Sequence, residues 1–246
     1  MPSSLSPTKL LAVLQPWAEV AEAIHRRLAQ LVEPAPDQEV VWIGSGSGRS
    51  VLWWAGRFGT HIHGVEPDAA AVDEAEEQTR RAGLQRLVSF QTAAPTELPH
   101  EEQVFDVTVV NLLHLLGCDG EAVLREAGRV ARPMSTVLAL APSWLSTPSE
   151  ADRAQVAALG FCPQLVVEWK SFFRQAGVVD LSVEDAALDG RWIAQGLVGF
   201  LIRGWRAARW AGVRAVLSRE MRAFRSLARR RVLGLSIIKG TRWPHE

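Results

Sequence analysis

Tyrosine is absent from the 246 residues, cysteine occurs twice and methionine three times. Two cysteines, Cys118 and Cys162, exclude a disulfide framework; with no metal-like spacing between them they read as buried structural thiols. The six histidines form no H-E-x-x-H or related cluster, so no protein-bound metal is expected. No apolar run approaches the roughly 18 residues of a membrane-spanning helix. The first residues also lack a basic segment followed by a hydrophobic one. The expectation is a cytoplasmic protein. With 48% hydrophobic and 22% charged residues, the composition excludes disorder and suits one α/β domain with a small addition.

What the chain has in plenty is tryptophan, ten residues, and a charge asymmetry hidden by a net charge of zero. Residues 1–189 hold 14 Lys/Arg and 25 Asp/Glu, a balance of −11, whereas residues 190–246 hold 13 and 2, a balance of +11. The most informative segment lies in the acidic part. Val40 to Ile43 is an apolar strand that runs into Gly44-Ser45-Gly46-Ser47-Gly48 and then a helix. Glycines in such a turn let backbone N–H groups and a helix N-terminus approach a ligand. A second strand, His61 to Val65, ends in Glu66, placed to accept hydrogen bonds from ribose hydroxyls in a nucleotide-binding βαβ unit. The dinucleotide fingerprint G-x-G-x-x-G would need its third glycine at position 49, which is Arg49.

The pattern G-x-G-x-G instead resembles the first motif of class I S-adenosylmethionine-dependent methyltransferases, of the type 11-like group. The resemblance continues through Gly64-Val65-Glu66-Pro67-Asp68, the loop Thr92 to Pro99, the strand Phe105 to Asn111 and the segment Arg129 to Pro133. Val167 to Val179 is similar to the family's helix entering strand six, and Leu233 to Gly240 to its last strand. The resemblance implies a Rossmann-like, doubly wound α/β sheet of seven strands with the last antiparallel. It also implies S-adenosyl-L-methionine as cofactor, held by Gly44, Ser45, Gly46, Gly48, Glu66, Pro67, Ala93, Ala94 and Asn111. The chain departs from the family at Trp42 and Ala93, where acidic residues usually stand. Binding is then expected to rest on the glycine turn, Glu66, backbone near Ala94 and apolar contact with adenine.

Strands are expected at 40–43, 62–65, 87–91, 104–110, 136–140 and 178–183, alternating with helices, as in a parallel sheet covered on both faces. The organisation reads as an N-terminal helical segment (1–36), the methyltransferase core (37–189), a basic helical insertion or cap between strands six and seven (190–232) and a final strand (233–246). Leu10 to Val32 shows helical spacing of apolar residues, with a kink or restart at Pro16. In the insertion, an arginine-rich face opposes an apolar one, which fits a solvated cap, a helix lying on an anionic membrane or, with no accompanying motif, nucleic-acid binding.

Methyl transfer from a sulfonium asks the protein to align a nucleophile and exclude water, with a base where the acceptor must lose a proton. His114, after strand four, is the candidate base; the alternative is that it caps or packs the next helix. The loop Pro142 to Ser149 and the residues Trp17 and Trp144 are candidate substrate walls, core packing being the plain alternative for the tryptophans, Trp53, Trp54 and Trp169 included. The absence of an Asn-Pro-Pro-Tyr type motif favours a small-molecule acceptor, and two cysteines are too few for an arsenite-binding cluster. Two further readings stand beside it: a methyltransferase acting on a membrane-associated quinone or lipid, peripheral to the inner face of the membrane, and a non-catalytic cofactor-binding or scaffold protein.

Overall fold

The computed structural model describes residues 21–157, 160–186, 226–227 and 229–244. Trp17, Pro16 and most of the basic insertion lie outside the described residues. The elements in chain order are α1 (Ala21–Val32), β1 (Glu39–Ile43), α2 (Arg49–Phe58), β2 (His61–Glu66), α3 (Ala69–Ala82), β3 (Val88–Thr92), β4 (Phe105–Asn111), α4 (Gly120–Val130), β5 (Ala131–Trp144), α5 (Glu150–Ala157), β6 (Gln164–Leu165), α6 (Val166–Gln175), β7 (Val178–Ala186) and β8 (Leu233–Arg242).

The sheet runs β3-β2-β1-β4-β5-β8-β7. β1 to β5 are parallel, and β8 inserts antiparallel between β5 and β7. The expected seven strands are therefore joined by a two-residue eighth, β6, which pairs with the end of β5. Because β1 has β2 on one side and β4 on the other, the chain reverses its winding there. Such a switch point opens a crevice at the carboxyl ends of the strands.

Unbroken apolar runs suit strands covered on both faces. Val41 and Ile43 pack with Val110, Leu124 and Trp169 beneath α4 and α6. Val40 and Trp42 pack with Leu28, Val51 and Trp54 beneath α1 and α2. Trp54 and Trp169 are thus core residues, as is Trp42, whose ring meets Trp54 edge-on at 5.3 Å. Side-chain caps start two of the helices: Asp68 accepts from Ala70 N–H at 3.0 Å, and Asp119 from Glu121 N–H at 3.0 Å.

Two expectations need correction. β5 is longer than 136–140 and takes in Pro142, Ser143 and Trp144, which were expected to lie in a loop. The cause is β8, whose pairing reaches Trp144↔Leu233; Pro142 is tolerated because the pairing with β4 ends earlier, at Asn111↔Leu140. Nor are the thiols buried structural ones: Cys118 is half-buried and Cys162 exposed.

Helices α4 and α6 meet closely because Gly128 has no side chain; a methyl group there would overlap the Ala176 backbone carbonyl. Gly128→Ala is expected to cost about 2 kcal/mol and to lower the melting temperature by roughly 4–8 °C. A thermal melt indistinguishable from that of the unaltered protein would contradict this packing.

Candidate functional site

Leaving β1, the chain makes a turn in which Gly44, Gly46 and Gly48 all have positive φ, at 77°, 53° and 81°. The turn is anchored to β2, since Gly44 N–H donates to Val65 O at 2.8 Å. Its geometry is also enforced by neighbours. A side chain at Gly44 would meet the Asn111 carbonyl oxygen at 2.7 Å, and one at Gly48 would meet the Phe90 ring at 2.7 Å. Gly48 then caps α2 with no side-chain hydrogen bond and no acid in the first turn, so the positive end of that helix is not offset by a side chain there.

Glu66 comes to the same place because β1 and β2 pair in register, Ile43↔Val65. Gly46 N–H donates to Glu66 Oε2 at 2.9 Å and Asp68 N–H to Oε1 at 3.3 Å. The carboxyl is only 1% exposed, and this burial pushes its pKa from 4.5 up to about 7 despite both N–H donors. Ser45 Oγ is buried nearby without a hydrogen-bond partner. Together these groups are a backbone cradle beside an acceptor that lacks hydroxyl donors, and they fit the ribose of a nucleoside cofactor.

The other expected residues are distributed around this turn. Ala93 follows β3, half-buried, with its N–H donating to Glu66 O at 3.2 Å; Ala94 and Pro67 are exposed. Asn111 ends β4, and its Oδ1 accepts from Leu113 N–H at 3.3 Å, turning the chain so that His114 N–H reaches Asn111 O at 3.1 Å. That turn lays the His114 ring against Gly46, where any side chain would collide with it. Desolvation lowers the His114 pKa from 6.5 to about 4, so the imidazole is neutral at physiological pH. Trp144 lies elsewhere, 4% exposed in a cluster with Val156, Phe161 and Leu233. Among the described residues no group of three or more His, Cys, Asp or Glu is placed to hold a metal ion.

Sequence reasoning missed Phe90 and Leu115. Phe90 wedges beneath the turn, facing both Gly48 and Gly64, and Leu115 packs against Gly44. Gly64 was the available signal, because a glycine inside a strand marks the close approach of another group.

The methyltransferase-domain family model matches residues 40–134. Over 122 residues the chain is 28% identical to the methyltransferase GfsG of Streptomyces halstedii, covering 49% of this chain and 43% of that one. The chain thus spans less than half the length of that curated relative. Among solved structures, a Haemonchus contortus phosphoethanolamine N-methyltransferase bound to phosphomonomethylethanolamine and S-adenosylhomocysteine superposes with a TM-score of 0.81 at 14% identity, covering 97% of this chain and 58% of that one. The 4+2 cyclase SpnF superposes with a TM-score of 0.75 at 18% identity, covering 93% of this chain and 84% of that one.

The raised pKa of Glu66 has a measurable effect on stability. Between 4.5 and about 7 the folded chain binds more protons at this carboxyl than the unfolded chain, so ligand-free stability falls as pH rises through that window and stays reduced above it. Glu66→Gln is expected to melt higher than the unaltered protein at pH 8 and close to it at pH 5. Parallel melting-temperature profiles across this range would refute the assignment. With its glycine turn, its acid at the end of β2 and its sheet order, the segment 40–134 is a methyltransferase domain, and the chain has the fold of the S-adenosylmethionine-dependent methyltransferases it superposes on.

Proposed function

We propose that this chain binds S-adenosyl-L-methionine at the glycine turn and transfers its methyl group to a small-molecule acceptor. One observation carries the reading: Glu66, buried and short of donors, is held 2.9 Å from Gly46 N–H beside the uncapped start of α2. The Haemonchus enzyme, which shares the fold, is named for a small acceptor, and this supports the substrate class.

When bound, the cofactor supplies an electrophilic methyl group on a sulfonium, open to in-line attack by a lone pair. The chain's own residues bind and position. Glu66 accepts hydrogen bonds from ribose hydroxyls, Gly46 and Gly48 permit close approach, and Phe90 and Ala93 border the turn with apolar surface. Trp42 fills the place of the family's acid, so cofactor recognition rests more heavily on the end of β2. His114, neutral and pressed on Gly46, adds no positive charge near a cationic cofactor. With a pKa of about 4 it is a weak base, so the site suits an acceptor whose attacking atom needs little help in losing a proton.

A second reading, cofactor binding without methyl transfer, is favoured by Trp42 and by the likeness to a cyclase with the same fold. Calorimetry and turnover separate the two. Cofactor binding is expected in the unaltered chain and a loss of roughly 100-fold in Gly46→Ala, whose added methyl group collides with the His114 ring and sits at a positive φ. Transfer of a labelled methyl group to any member of a small-molecule panel would establish the first reading. Binding with no transfer across the panel would establish the second. His114→Ala is expected to change both transfer rate and cofactor affinity by less than about threefold, as measured by initial rates and calorimetry.

A further inference from the structure

The carboxyl end of β5 holds a second feature that the glycine turn does not use. Trp144, Leu145, Leu165, Val166, Val167 and Arg231 line a cleft of about 510 Å³. That volume lies within the range of small-ligand sites. Its walls are mixed, five apolar side chains beside Arg231, and two of the apolar ones, Leu145 and Val167, are 42% and 67% exposed.

The backbone is shaped to build it. Leu145 lies across Gly234 of β8, where a side chain would collide with it, and Leu145 N–H donates to Val232 O at 2.8 Å. Arg231 has a φ of 53°, and Val232 N–H reaches back to Leu227 O at 3.0 Å. This is the closure of a helix end in which the left-handed position is usually glycine. An arginine held there against its backbone preference points to a use for its side chain. The neighbouring Arg230 is neutralised by Asp152 at 2.5 Å, whereas Arg231 has no acidic partner among the described residues. Glu168, the acid in the first turn of α6, is engaged with Leu165 N–H at 2.7 Å.

We infer that this cleft recognises the methyl acceptor as a small amphipathic anion, with its apolar body on Leu145, Leu165 and Val167 and its anionic group on Arg231. The inference rests on the methyl-transfer reading. One segment connects the two places: Leu113 and Leu116 pack against the Trp144 cluster, while Leu115 and His114 press on Gly44 and Gly46. Trp144 stands four residues beyond Leu140, the partner of Asn111 in the register, which is about 13 Å along the strand. An elongated acceptor bridges that distance, and an ionised one suits a site whose histidine is a weak base.

The test uses the full chain, octanoate as the anionic probe and octanol as its neutral counterpart, with binding followed by calorimetry. Octanoate is expected to bind at least roughly tenfold tighter than octanol. Arg231→Gly, which suits the backbone and keeps the fold, is expected to lose about tenfold for octanoate and nothing for octanol, with its melting temperature maintained. Val167→Asp weakens both probes. Equal affinity for the two probes, or an Arg231→Gly variant that binds octanoate normally, overturns the inference. So does attachment to phosphatidylglycerol vesicles with no saturable uptake of octanoate. Cofactor affinity, measured in parallel, is expected to be unchanged in both variants. Its absence from the unaltered chain would sink the methyl-transfer reading and, with it, the acceptor role of a cleft that still bound octanoate.

Discussion

Complete burial of β1 is the constraint on which the rest of the molecule depends. Val40 to Ile43 are each at most 1% exposed, covered on one face by α4 and α6 and on the other by α1 and α2. A strand so enclosed favours apolar side chains throughout, and Trp42 completes that logic by packing among Leu28, Val51 and Trp54. The polar work of the site is therefore displaced to the end of the strand. On the proposed reading it falls to backbone N–H groups of the glycine turn and to Glu66, carried by the neighbouring strand. The edge-on contact of Trp42 with Trp54 follows from the same residue, as does, on the proposed reading, the shift of cofactor recognition to the end of β2.

A second tension runs through Glu66. A carboxylate screened from water favours its protonated form, so the ligand-free fold carries a cost that a ligand with hydroxyl donors would offset. His114 shows the same effect with the opposite sign, because desolvation removes a charge that would repel a cation. The two groups flank one turn, and burial is the largest influence on both.

Much of this was legible in the chain because the informative residues are of types with narrow conformational meaning. Gly44, Gly46 and Gly48 mark a turn with positive φ, and Glu66 at the end of a strand marks an acceptor. Strands β1 and β4 were legible to within one residue, since near-continuous apolar runs mark strands covered on both faces. The extension of β5 through Trp144 was not, because it is dictated by pairing with a strand some ninety residues later in sequence. Strand β6 escaped for its brevity. Phe90 escaped because its role depends on what lies opposite, at Gly48 and Gly64. Arg231 escaped because local sequence does not disclose a left-handed backbone at an arginine. The long-range pairings and the close approaches were hidden, whereas the local turn chemistry was plain.

The place of β8 between β5 and β7 bears on how the molecule is made. Among the described residues β7 pairs only with β8, separated from it by residues 187–232, so during synthesis it emerges before that partner. Until β8 arrives, β5 and β7 both present open hydrogen-bonding edges, the kind of surface through which chains associate wrongly. The parallel half, β1 to β4, has no such dependence and can gather its helices first. Assembly in that order would leave the glycine turn formed before the edge at β5 is closed, making the last antiparallel strand the step that completes the sheet.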